Sequence, residues 1–237
     1  MEIHSKIAIV TGASSGLGAA MATALVKENA KVYGLARNKE GLESLKAEIG
    51  TTFIPVPLDI SNRSAVNKWV SETFSADDIP DILINNAGAG SFGRIDEMGA
   101  ATWDVMVNTN LTGMYNITSQ VVKLMRATTE PSHIVNIGSI LGSVTRAEGA
   151  AYSATKFGMR GFTDALFKEI RNDNIKVTLL NPGSIDTHFF ESSGIEAHKN
   201  MLQADDIANT VLHILKTPDN MLISELTVRP LDPRKPK

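Results

Sequence analysis

The stretch KIAIVTGASSGLGAAMATALVKE, residues 6–28, decides how the chain is read. Its opening, KIAIVTG, is apolar on consecutive positions, as a strand buried on both faces requires. Its alanine-rich end suits a helix. Between them Gly12, Gly16 and Gly18 form a G-x-x-x-G-x-G pattern. Glycines let a backbone turn tightly and approach a pyrophosphate closely, and the helix that follows offers its amides and the positive end of its dipole. A tight strand-to-helix turn without a ligand is the plain alternative. Position in the first βα unit favours a phosphate loop, with Ser14, Ser15 and Leu17 beside the glycines.

The same alternation runs to the end of the chain. Strand-like runs recur at 31–36, 53–59, 81–88, 133–139, 176–182 and 222–228. Helix-compatible stretches lie near 17–29, 39–49, 62–75, 102–128, 151–171 and 204–216. Strands alternating with helices build right-handed βαβ units and a parallel sheet covered on both faces. The expectation is α/β: a doubly wound Rossmann fold, seven-stranded, in one domain spanning 1–237. In such sheets ligands bind at the carboxyl ends of the strands, where this chain collects its glycines and asparagines.

Composition narrows the function. A net charge of -3 and a pI near 6.0 give no polyanion-binding surface, so nucleic acid is not an expected partner. The chain has no cysteine, which excludes disulfides, thiol nucleophiles and cysteine-held metals and fits the cytoplasm. The apolar run in MEIHSKIAIVTG is too short for a signal peptide or anchor, and no other window spans a bilayer, so no membrane role is expected.

The second strand runs into GLARNKEGL. An acidic residue near this point holds the free 2′-hydroxyl of NAD, whereas here Ala36 is followed by Arg37. A guanidinium suits a 2′-phosphate through charge-assisted hydrogen bonds, which points to NADP(H). A solvated arginine at a helix start is the plain alternative.

Further on, AAYSATKFGMRGF (150–162) sets Tyr152 and Lys156 four positions apart, on one face of a helix. Tyrosine titrates near 10 and is a poor acid or base at neutral pH until its surroundings shift it.

With these residues in view, the chain resembles the short-chain dehydrogenase/reductase family. TGASSGLG, NNAG at 85–88, Ser139, YSATK at 152–156 and NPGSIDT at 181–187 occur in the family's order, with Tyr152 thirteen residues after Ser139. The resemblance implies a catalytic set of Asn110, Ser139, Tyr152 and Lys156. Tyr152 would be the acid/base at the carbonyl oxygen, with its pKa depressed by Lys156, which also holds the nicotinamide ribose. Ser139 would orient the substrate oxygen, and Asn110 in NTNLTGMY would hold a water behind the lysine. By the same carry-over Asp59 and Ile60 flank the adenine, Asn86, Ala87 and Gly88 sit under the adenosine ribose, and Pro182, Gly183, Ile185 and Thr187 line the nicotinamide end. Asn85 is expected to bond backbone across the sheet.

Departures from related branches matter too. The length and the missing C-terminal lobe argue against sugar-nucleotide epimerases, and the Tyr-x-x-x-Lys spacing argues against enoyl reductases. ISELTVRP near the end lacks the T-G-x-x-x-x-V-D-G-G of many ketoacyl and steroid enzymes. The implied activity is NADPH-dependent hydride transfer to a small or medium carbonyl, or from a secondary alcohol. A 3-hydroxy acid or 3-oxoacyl reductase and a non-catalytic NADP-binding sensor or scaffold stay open beside it.

Three loops should bound the substrate: 88–98, 140–150 and a short lid at about 188–201. Phe92, Leu141, Phe189 and Phe190 offer apolar walls, and Arg94 and Arg146 are candidates for a substrate carboxylate. His188 and His198 lack partners at ligand spacing, so no metal is expected. The family's habit of pairing through two long helices, here 102–128 and 151–171, implies a homodimer or homotetramer.

Overall fold

The computed structural model of the chain describes residues 1–186, 198 and 200–232. Seven parallel strands form one sheet in the order β3-β2-β1-β4-β5-β6-β7. They are β1 (Ile7–Thr11), β2 (Lys31–Ala36), β3 (Phe53–Pro57), β4 (Ile82–Asn85), β5 (Ser132–Ile137), β6 (Ile175–Pro182) and β7 (Glu225–Val228). Every residue of β4 and β5 is buried, whereas β7 at the edge alternates exposed and half-buried positions. Helices cover both faces of the central strands, so their sequences are apolar on consecutive residues.

Helices α1 (Gly16–Lys27), α2 (Lys39–Ile49) and α7 (Ala204–Leu215) cover one face, where Met21, Leu25, Leu42, Val211 and Ile214 pack on β1 and β4. The other face carries α3 (Arg63–Thr73), α5 (Met114–Met125) and α6 (Ala150–Ile170), with Val66, Val70, Ile117, Val121 and Leu166 in its core. Asn38 and Asn62 cap α2 and α3 by accepting from Gly41 N and Ala65 N, each at 3.1 Å. A Gln203–Asp206 capping box starts α7, and Asp205 and Asp206 meet the positive end of its dipole.

The expected long helix at 102–128 is not uniform. It consists of α4 (Ala100–Val107), a π-helical turn (Asn108–Gly113) and α5. The wider turn absorbs an extra residue and turns Asn110, fully buried, toward the loop that follows β4. Gly113 lets this segment close on Ile60: a Cβ there would sit 2.7 Å from Ile60 Cγ1.

Between β4 and β5 a file of polar side chains crosses the apolar layer. Asn85 Nδ2 donates to Thr118 Oγ1 (2.9 Å) and Asn136 Oδ1 (2.8 Å), and Asn136 Nδ2 donates to Thr163 Oγ1 (2.9 Å). Asn85 therefore bonds side chains, not the backbone its sequence context suggested. Asn85 and Asn136 are register partners, so their side chains share one face and meet, while the ladder occupies the backbone.

Strand order reverses direction at β1, whose neighbours are β2 and β4. The crevice outside the carboxyl ends of these strands is where such a fold holds its ligand.

Candidate active site

A cavity of about 320 Å³ lies in that crevice. Gly12, Ser15, Gly16, Leu17 and Gly18 form one end, Asn86, Ala87 and Gly88 the floor, and Ser139, Tyr152 and Lys156 the other end, beside Pro182, Gly183 and Ile185. Residues separated by 144 positions in the sequence thus share one chamber.

The loop between β1 and α1 makes the tight turns its glycines allow. Gly12 and Gly16 take φ of +70° and +52°, where side chains are strained. A Cβ on Gly18 would lie 2.1 Å from Gly12 O, so the start of α1 presses on the end of β1. The loop after β4 is tied to the same place: Thr11 Oγ1 accepts from Asn86 N (2.9 Å) and Ala87 N (3.0 Å), and Asn86 Nδ2 donates to Thr11 O (3.0 Å). This leaves a glycine-rich cradle at a helix N-terminus, which fits a pyrophosphate.

Several expected contacts lie outside the chamber. Arg37 is exposed on the loop between β2 and α2. Ser14 turns its carbonyl toward Gly41 of α2, where a Cβ would be 2.8 Å from Ser14 O. Asp59 Oδ1 accepts from Ser61 N (2.9 Å) and Ser61 Oγ (2.7 Å), a turn before α3, and Ile60 is buried in the core of the second face. Thr187, His188, Phe189 and Phe190 lie outside the described residues, as does most of the expected lid.

At the other end of the chamber α6 presents Tyr152 and Lys156 on one buried face, 6% and 5% exposed. Lys156 Nζ donates to Ile137 O at 2.9 Å and stands 5.7 Å from the Tyr152 ring centroid. Burial pushes the Tyr152 hydroxyl up to about 12, against the pull of its hydrogen bond with Ser139. Burial also brings the Lys156 ammonium down to about 8. The family resemblance implies a Tyr152 depressed by Lys156, whereas in the protein the shift runs upward, because desolvation of the phenolate is its largest cause.

Asn110 is woven into this end from behind. Its Oδ1 accepts from Ala89 N (2.8 Å), and its Nδ2 donates to Ala89 O (2.9 Å) and Thr155 Oγ1 (2.9 Å). Thr155 in turn donates to Tyr152 O at 2.8 Å. The side-chain amide thus braces the turn that carries Tyr152. Sequence reading passed over Thr155 and the brace it makes, although a threonine between Tyr152 and Lys156 is itself a signal. It also gave no role to Asn181, whose Oδ1 accepts from Ser139 N.

Comparison with known proteins agrees with this geometry. Residues 6–197 match the short chain dehydrogenase family model. The chain belongs to the short-chain dehydrogenase family. An uncharacterised oxidoreductase of Staphylococcus aureus is 34% identical, over 97% of this chain and 99% of its own. Among solved short-chain dehydrogenase structures, a serine dehydrogenase complexed with NADP+ superposes with a TM-score of 0.87 at 28% identity, covering 94% of each chain. A 3-ketoacyl-(acyl-carrier-protein) reductase from Brucella melitensis, complexed with NADH, gives 0.89 at 29% identity, covering 97% of this chain and 98% of that one. The protein is an oxidoreductase of this family.

Proposed function

We propose that the chain is an NADPH-dependent carbonyl reductase, reversible as a secondary-alcohol dehydrogenase, with Tyr152 as its acid/base. The observation that carries this is the hydrogen-bonded Tyr152–Ser139 pair beside Lys156, in one chamber with the phosphate cradle. Bound at the cradle, a reduced nicotinamide dinucleotide would supply the hydride. Every other task falls to this chain. Ser139 Oγ and Tyr152 Oη fix the carbonyl oxygen from two directions. Burial keeps the proton on Tyr152 until that oxygen becomes alkoxide-like, a base strong enough to take it. The Lys156 ammonium then faces the phenolate left behind and stabilises it.

Arg37 supports NADP over NAD. It is exposed at the end of β2, next to a helix start that packs on Ser14 of the phosphate loop, and no carboxylate takes its place. The large exposed side chains of Trp103, Tyr115 and Phe157, on α4, α5 and α6, support association of like chains as a dimer or tetramer through these helices. A cytoplasmic, small-molecule enzyme is the setting this reading implies.

The test is NADPH and NADH oxidation against a panel of aldehydes, ketones, 3-oxo acids and diketones. Turnover linked to NADPH should fall by ~10²–10⁴-fold in Tyr152→Phe. Full activity in that variant would remove Tyr152 from the chemistry. Tight NADPH binding with no carbonyl reduced would mark a binding protein instead.

A further inference from the structure

The two arginines near the substrate loops look alike in sequence, and the fold separates them. Arg94 is spent on its neighbours: it pairs with Asp96 at 3.2 Å and Glu97 at 3.5 Å and does not line the chamber. Arg146 does line it. Among the described residues the chamber wall contains two cations, Arg146 and Lys156, and no aspartate or glutamate. Among the described residues no carboxylate lies within ion-pair distance of Arg146.

Its guanidinium is held rather than loose. The guanidinium carbon stands 5.0 Å from the Phe92 ring centroid, and Phe92 packs on Tyr152 with ring centroids 5.5 Å apart. Stacking on an aromatic face orients the planar fork. Nε donates to Ala147 O at 3.3 Å, which leaves the two Nη groups as donors. The backbone supports this placement. Gly149 N donates to Arg146 O at 3.2 Å, and Glu148 sits in the left-handed region at φ 64°, a strained conformation for a non-glycine residue. Glu148 O accepts from Gly93 N at 2.9 Å, so the loop carrying Phe92 and the turn carrying Arg146 are fastened together. Gly149 gives the stem of Arg146 room, since a Cβ there would lie 3.0 Å from Arg146 Cγ.

We infer that Arg146 is the specificity-determining residue of this site, binding the carboxylate of an anionic carbonyl substrate whose reacting oxygen rests on Ser139 and Tyr152. The guanidinium is one aromatic ring away from Tyr152, so the substrate class is a short oxo acid or hydroxy acid. Its charged group lies a few bonds from the reacting carbon. A bidentate carboxylate takes up both Nη donors and neutralises a cation that no described carboxylate pairs. This inference rests on the reductase reading, and its test reports on the two separately.

The measurement is the ratio of kcat/KM for 3-oxobutanoate over its ethyl ester with NADPH, in the wild-type protein, Arg146→Ala and Arg146→Lys. The wild-type ratio should favour the acid by ~10-fold or more, and Arg146→Ala should lower it by ~10–100-fold, mostly through KM for the acid. Arg146→Lys should recover part of it, because the charge returns without the fork. A ratio near one in the wild-type protein, or one unmoved in Arg146→Ala, overturns the inference and leaves the reductase standing. A second readout is independent of turnover: butanoate should raise the unfolding temperature of the NADP+-loaded wild-type protein and not of loaded Arg146→Ala. If no carbonyl is reduced but this protection depends on Arg146, the anion site stands and the reductase reading falls. If butanoate protects both proteins equally, the site assignment falls.

Discussion

The amide oxygen of Asn181, at the end of β6, accepts the backbone N–H of Ser139 at 3.2 Å, while its Nδ2 donates to Glu225 Oε1 at 2.8 Å. Glu225 is held in turn by Arg160 of α6 at 3.0 Å. Ser139 is thus positioned from the neighbouring strand. Asn181→Ala should lower kcat by about tenfold or more by letting Ser139 drift, with KM for the cofactor much less affected. Steady-state kinetics resolve the split, and an unaltered kcat would show that Ser139 is placed by other contacts.

In the proposed mechanism the buried Tyr152–Lys156 pair sets the pH dependence. Lys156 is brought down to about 8 and Tyr152 is pushed up to about 12, so the pair gives up its first proton near pH 8. Reduction needs the protonated pair and should be level below about pH 7, falling as pH rises through 8. Oxidation needs the pair one proton short and should rise over the same interval. Opposite slopes with one midpoint in the two kcat/KM profiles are the expected result. Parallel profiles would assign the titration to another group.

The proposed preference for NADP rests on Arg37. Arg37→Ala should weaken NADPH by ~10–100-fold and NADH far less, because only the 2′-phosphate loses a charge-assisted partner. Fluorescence titration of both reduced cofactors measures the difference. Equal losses would place the 2′-position elsewhere.

Acid should unfold the protein partly through His133. Its ring is buried, Nε2 lies 2.8 Å from Thr178 Oγ1, and burial, with the Lys176 charge nearby, brings its pKa down to about 3. The unfolded chain takes up this proton near pH 6.5, so between about 6.5 and 3 the folded state binds fewer protons. Stability should therefore fall as pH drops through that window, by up to about 1.4 kcal/mol per pH unit from this group. Denaturant unfolding at pH 7 and pH 5 should show a smaller loss in His133→Phe than in the wild-type protein.

Gly18→Ala tests the cradle. With Gly12 O only 2.1 Å from the new Cβ, α1 cannot sit on β1 as it does. Cofactor affinity should drop at least tenfold and thermal stability by a few kcal/mol. Native affinity would mean that the loop relaxes at little cost.

Local chemistry makes much of this site legible in the amino-acid sequence. Glycine spacing identifies a backbone that must turn left-handed, and the four-residue step from Tyr152 to Lys156 identifies a shared helix face. Properties that depend on what surrounds a residue are not legible there. Arg94 and Arg146 look alike in sequence, but only Arg146 lines the chamber and stacks on Phe92, while Arg94 pairs with Asp96 and Glu97. The direction of the Tyr152 shift follows from the depth of its burial, and a sequence does not state depth. The π-helical turn at Asn108–Gly113 leaves no apolar signature, because it changes the phase of the helix rather than its composition.

The file Thr118–Asn85–Asn136–Thr163 joins α5, β4, β5 and α6 through directed donors and acceptors rather than through volume. An apolar core drifts one methyl group at a time, because leucine and isoleucine ask similar things of their neighbours. This file allows no such gradual drift, since changing one member strands the next in the dry interior. Its four positions should therefore be inherited as a set. Among relatives whose cores have otherwise been rewritten, they should mark which descend from an ancestor with this arrangement of helices.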